Sequence, residues 1–201
     1  MTDARDIPRD VRENVINKCH WKSGSGRILI VVDCQIVQKI TCGHAALQDE
    51  RHRPTFKKIA NQLKDLNKLG WKSSNDINCP IQWMPRELNR SADHMANAAM
   101  NYGRDYHIHH KLTPEEENLE CNILVTVDGG SRETCSSIGW TLGLCSVGRD
   151  GIMQYRIVTA HGSFIKERVT SFVAELAALK EAVDYLTTSF IAAKVPVHQV
   201  T

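Results

Sequence analysis

Short apolar runs and amphipathic stretches take turns along the chain, and that alternation predicts most of its elements. "RILIVV", residues 27–32, is apolar on both faces and too short for a helix. It predicts a central strand covered on both sides and ending at Asp33. "CQIVQKITCG" predicts a short helix stopping at Gly43, and "HAALQDERHR" after it a polar loop. In "PTFKKIANQLKDLNKLG" Phe56, Ile59, Leu63 and Leu66 recur at helical spacing, with Pro54 as a start and Gly70 as a stop. "INCPIQWMP" predicts a strand whose Pro80 suits an edge or an irregular start. "SADHMANAAMNYG" predicts a small-residue helix capped by Ser91, with Asp93 in its first turn, where the helix dipole favours a carboxylate.

The pattern then breaks. "RDYHIHHKLTPEEENLEC", residues 104–121, mixes charges without a sustained period and predicts a linker. Its histidines, His107, His109 and His110, have no cysteine or second spaced cluster nearby in sequence, so they are expected to be solvated rather than metal-bound. Beyond it, "NILVTVDGGSR" predicts a buried strand ending in Asp128 and two glycines. "SSIGWTLGLCS" and "IMQYRIVTA" predict two more strands joined at "VGRDG". The last helix is expected in "TSFVAELAALKEAVDYLTTSF", with Phe172, Leu176, Leu179, Val183 and Leu186 as its core stripe and Glu175 beside that stripe. At the two ends, residues 1–26 carry a helical stripe of Ile7, Val11, Ile16 and Cys19, and "KVPVHQVT" looks extended.

Composition narrows the classes. A chain of 201 residues can bury one substantial core, or two small ones. With 24% charged and 42% hydrophobic residues it is ordinary for a soluble globular protein. A net charge of +2 permits nucleic-acid binding without demanding it. Seven scattered cysteines, none spaced C-x-x-C, argue against a disulfide framework and a zinc ribbon, and for thiols in a reducing compartment. A charged N-terminus and the absence of a long apolar run point to an intracellular protein, in cytoplasm or nucleus, without a membrane partner.

Four carboxylates sit where elements begin or end: Asp33, Asp93, Asp128 and Glu175. Each alone is an ordinary capping or solvated acid. If the strands ending at Asp33 and Asp128 are neighbours, their acids converge, and the two helical acids can lean in. Such a cluster repels itself unless divalent cations neutralise it, and hard oxygen donors select Mg²⁺ or Mn²⁺.

These segments resemble ribonuclease H, closest to its retrotransposon and plant-type branch. "VTVDGGSR…IGWTLGL" resembles the family's first hairpin and "SFVAELAALKEAVDYL" its first helix. "RILIVVDCQIV" is similar to its fourth strand, with Cys34 where a small polar residue is usual, and "IQWMPRELNRSADHMANAAM" to its last strand and helix. The order is exchanged, because the family's second half comes first here.

The resemblance implies an α/β ribonuclease H-like fold in circularly permuted order, a mixed five-stranded sheet with helices on both faces. Residues 1–26 would be a helical extension, 27–103 the second half, 104–121 the linker and 122–201 the first half, with 27–201 one domain. A fragment of a tandem array would give the same order, and the folded product would be a monomer or a half-swapped dimer. The resemblance further implies an endoribonuclease that cleaves the RNA strand of RNA/DNA hybrids. Asp128, Glu175, Asp33 and Asp93 would then be catalytic and would ligate Mg²⁺, with Mn²⁺ as substitute. A second expectation is a non-catalytic module of the same fold that binds nucleic acid or protein. It draws on the weak net charge of +2 and on departures from the family in "ETCSS" after the first strand, in Ser171, Phe172 and Val173 before the helical acid, and in the lack of a histidine in "MPRELNRSAD". A proofreading exonuclease would need an acid at position 130, which is Gly130.

Overall fold

The two halves of the chain meet along one pair of parallel strands. Strand β1 (Arg27–Val32) lies beside β5 (Asn122–Ser131), in register from Ile28 opposite Ile123 to Val32 opposite Val127. In this computed structural model the described residues are 27–68, 72–73, 81–110, 122–147 and 153–193. The expected helix in 1–26, Gly70, Pro80, most of the "VGRDG" turn and the tail from 194 lie outside them.

From β5 the sheet continues antiparallel through β6 (Ser136–Val147), β7 (Met153–Ile165) and β4 (Tyr106–His109). Two short segments, β2 (Lys72–Ser73) and β3 (Ile81–Trp83), run parallel to β1 along its outer edge. The architecture is therefore α/β with a mixed sheet of seven strand segments in six positions across. This corrects the expected five strands. The additions are the two-residue β2 and β4, which takes up part of the segment read as linker.

Helices cover both faces. Helix α4 (Ser171–Ala193) lays Leu176, Leu179, Val183 and Leu186 on the alternate residues Val125 and Val127 of β5 and Ile138 and Trp140 of β6. Helix α1 (Gln35–Thr41) and helix α2 (Arg53–Lys68) join that core through Val37, and through Phe56, Ile59 and Leu66. On the opposite face Leu29, Val31, Leu124 and Met84 form a smaller cluster. Strand β1 is thus buried on both sides, as its unbroken apolar run predicts.

Helix α3 (Arg90–Tyr102) covers that second face at unusually close range. A Cβ on Gly139 would fall 2.3 Å from the Ala92 carbonyl oxygen, and one on Gly162 2.4 Å from that of Met95. Small residues on helix and sheet together let the backbones touch. The cap differs from expectation: Asn89, not Ser91, is the N-cap residue, and its side chain turns inward to donate to the Val127 carbonyl at 2.7 Å. Ser91 instead joins the buried hydroxyls of Thr126 (3.1 Å) and Thr141 (3.5 Å). Cys34, Cys135 and Cys145 form no disulfide, in line with the expected thiols, but Cys42 is disulfide-bonded, which corrects that expectation for one residue.

No helix among the described residues is long and apolar enough to cross a membrane.

Candidate metal centre

Parallel neighbours in register finish at the same edge of a sheet. Because Val32 lies opposite Val127, the next residue of each chain segment, Asp33 and Asp128, is delivered to one place. The third acid arrives from above. Gly129 follows Asp128 and bears no side chain, so the first turn of α4 settles on its backbone and brings Glu175 down to the strand ends. Carboxylate oxygens of Asp33, Asp128 and Glu175 all lie within 4.8 Å of one another.

Burial makes this trio energetically unusual. Asp128 is 2% exposed and Glu175 8%, while Asp33 is half-buried and opens to solvent. Burial, then the charges of Asp33 and Asp93, pushes the Asp128 carboxyl up to about 7. Burial, then Asp33 and Asp128, pushes Glu175 up to about 10, although its carboxylate accepts from the Gly129 backbone N–H. One Glu175 oxygen, Oε2, is buried with no hydrogen-bond partner. The orphaned buried acceptor and the raised carboxyls of Asp128 and Glu175 fit a site where a cation could neutralise the acids. The donor set, oxygen only, could hold a hard divalent cation.

Asp93 stands apart from the trio. It opens α3 as expected, but Arg86 holds it: Arg86 Nη2 lies 2.5 Å and Nε 3.1 Å from Asp93 Oδ1. Asn97 donates to its other oxygen at 3.0 Å. Asp93 is still near enough to raise the Asp128 carboxyl, and the hydrogen bond that Arg86 donates to Asp93 raises the Arg86 pKa, aided by Asp128 and Asp33. The structure thus brings three of the four expected acids into one cluster and diverts the fourth into an ion pair at its rim.

Three supporting residues were not foreseen. Trp83, at the end of β3, donates its indole N–H to the Asp33 carbonyl at 2.8 Å and fixes the chain where it leaves β1. Asn89 ties the start of α3 to the residue before Asp128. Arg86 supplies a cation beside the acids. The segment "WMPRELN" holds all three, and its lack of any period was the sole hint of a built loop. Burial raises the Cys34 thiol, next to Asp33, and the Glu175 and Asp33 carboxylates add to that, which disfavours its thiolate.

The turn "ETCSS" has an internal use. Ser131 Oγ donates to the Val169 carbonyl at 2.6 Å, and Ser136 Oγ accepts from the Val169 N–H at 2.9 Å. The hairpin is thereby stitched to the segment that leads into α4.

No model of a known protein family matches the chain, and none of the curated proteins is significantly similar to it.

Proposed function

We propose that the chain is a divalent-metal-dependent nuclease with a permuted ribonuclease H-like fold, cleaving the RNA strand of RNA/DNA hybrids. The observation that carries this reading is the convergence of Asp33, Asp128 and Glu175 at one sheet edge, from the very segments that resemble that family. Their oxygens would hold Mg²⁺, or Mn²⁺ in its place. Such ions supply an activated water and neutralise charge developing on the phosphate.

The chain's own residues do the positioning. Gly129 sets the height of Glu175, the β1–β5 register sets Asp33 beside Asp128, and Trp83 steadies the Asp33 backbone. Arg86, with two-thirds of its side chain exposed beside the acids, is placed to meet a phosphate of the bound strand. Selection of RNA would rest on 2′-hydroxyl contacts across the hybrid's minor groove.

The deciding assay incubates a labelled RNA/DNA hybrid with the protein in Mg²⁺ and, separately, in Mn²⁺. Asp33→Asn, Asp128→Asn and Glu175→Gln are run in parallel. Cleavage by the parent and its loss in all three variants is the expected result. A parent inert with both metals overturns the reading, and cleavage that survives the substitutions belongs to a contaminant.

The second reading, a non-catalytic hybrid-binding module, draws on the Arg86–Asp93 pair, which engages the fourth acid elsewhere. Retention of intact hybrid by an inert parent would select it.

A further inference from the structure

On the face of the sheet that α4 covers, a row of register partners runs Trp140, His161, His107 across β6, β7 and β4. Helix α4 adds Glu181 to the same face. His161 Nε2 lies 2.9 Å from Glu181 Oε1, which also accepts the Trp140 indole N–H at 3.2 Å. Burial alone would raise the Glu181 carboxyl, but these hydrogen bonds from His161 and Trp140 outweigh it and hold it below the usual range. A charged carboxylate only accepts, so the His161 proton belongs on Nε2, which also lies 2.9 Å from Ser163 Oγ. The other ring nitrogen, Nδ1, lies 3.4 Å from His107 Nδ1.

That separation is informative. Two imidazole nitrogens on one tetrahedral ion, each at about 2.0–2.1 Å, stand roughly 3.3–3.4 Å apart. His107 is exposed, so solvent can complete a coordination shell. A carboxylate behind a histidine ligand is the arrangement that fixes ring orientation and raises basicity in metal sites.

We propose that His107 and His161 form a second metal site, for a borderline-soft divalent cation such as Zn²⁺, with Glu181 as the outer carboxylate that positions His161. Imidazole donors favour Zn²⁺ over Mg²⁺, so the two sites of the molecule sort cations by donor chemistry. The inference stands whether or not the acid cluster cleaves a hybrid.

The test titrates Zn²⁺ into the whole chain in excess Mg²⁺, which occupies the carboxylate cluster, with a chromophoric chelator as competitor. The parent is expected to bind one Zn²⁺ saturably. His107→Gln, at an exposed edge where folding is not at stake, and His161→Gln should each weaken it at least about tenfold. Glu181→Gln should weaken it by about 10–100-fold, as loss of outer-shell carboxylates does. Zn²⁺ affinity equal in the parent and His107→Gln overturns the site, as does a parent with no saturable binding. Unchanged affinity in Glu181→Gln overturns the positioning role.

Discussion

Gly129 and Glu175 meet backbone to backbone: a Cβ built on Gly129 would lie 2.2 Å from the Glu175 amide nitrogen and 2.3 Å from the Ala174 carbonyl carbon. The second glycine of the same pair is under a looser constraint, because a Cβ on Gly130 meets the mobile end of Met100 at 2.6 Å. Gly129→Ala must therefore push α4 off the strand, whereas Gly130→Ala asks one flexible side chain to move. Overpacking of a well-filled site typically costs about 1–3 kcal/mol. Thermal melting should show that loss for Gly129→Ala and a smaller one for Gly130→Ala, and Mn²⁺ binding should weaken only in the former. Equal effects would contradict the docking contact.

The crowding of the acids predicts an inverted pH dependence. In the unfolded chain these carboxyls ionise near pH 4. In the folded chain, without divalent ions, Asp128 keeps its proton to about 7 and Glu175 to about 10. Their contribution to stability is full below the unfolded values and declines as pH rises through 7 towards 10. Asp128→Asn removes its share of that decline. In a chelator, the variant and parent should melt together in acid, and the variant should melt higher by about pH 8. Added Mg²⁺ should raise the parent more. A parent that keeps pace with the variant across this range would refute the crowding.

Arg86 lowers the negative potential that a cation would feel. Its ion pair with Asp93 is largely exposed on the Arg86 side, so Arg86→Gln should cost little stability, about 0.2–1 kcal/mol. Divalent affinity should move the other way, tightening roughly three- to tenfold as one nearby positive charge is lost. Mn²⁺ calorimetry on the variant checks this, and weaker binding would show that Arg86 orders the site rather than opposing the cation.

Beneath α3, Thr126 shares its hydroxyl with Thr141 at 2.7 Å and with Ser91 at 3.1 Å. Thr126→Val leaves Ser91 and Thr141 only their weak 3.5 Å contact with each other, and a poorly satisfied buried hydroxyl costs up to about 1–3 kcal/mol. Replacing all three, Ser91→Ala with Thr126→Val and Thr141→Val, removes the polar groups together and should recover part of that loss in a denaturant melt. A triple variant less stable than the sum of its singles would rule out this account.

How much of this was legible in the sequence depended on the range of the forces involved. Val125, Val127, Leu176, Leu179 and Val183 announce themselves by period, because a core face is a local pattern repeated. Asp33, Asp128 and Glu175 were legible because they punctuate such patterns. Asp93 was placed correctly at the head of its helix, but its partner Arg86 lies seven residues earlier in a 3-10 turn, where no period encodes direction. Tyr106–His109 read as linker because the strand's pairing energy comes from β7, some fifty residues on, and its own residues are mostly exposed. His107 looked idle for the same reason: its neighbour His161 is close only in space.

The pairing of β1 with β5 joins strands from opposite halves of the chain, and it bears on the order of synthesis. Asp33 leaves the ribosome long before Asp128 and Glu175, so the early segment carries a single acid of the cluster and no cavity for an ion. A chain halted before residue 175 lacks the third acid, so its carboxylate cluster should not bind Mn²⁺ until α4 can dock. If the carboxylate cluster holds a divalent ion, that binding would report completed folding, which a truncated or half-translated product could not imitate.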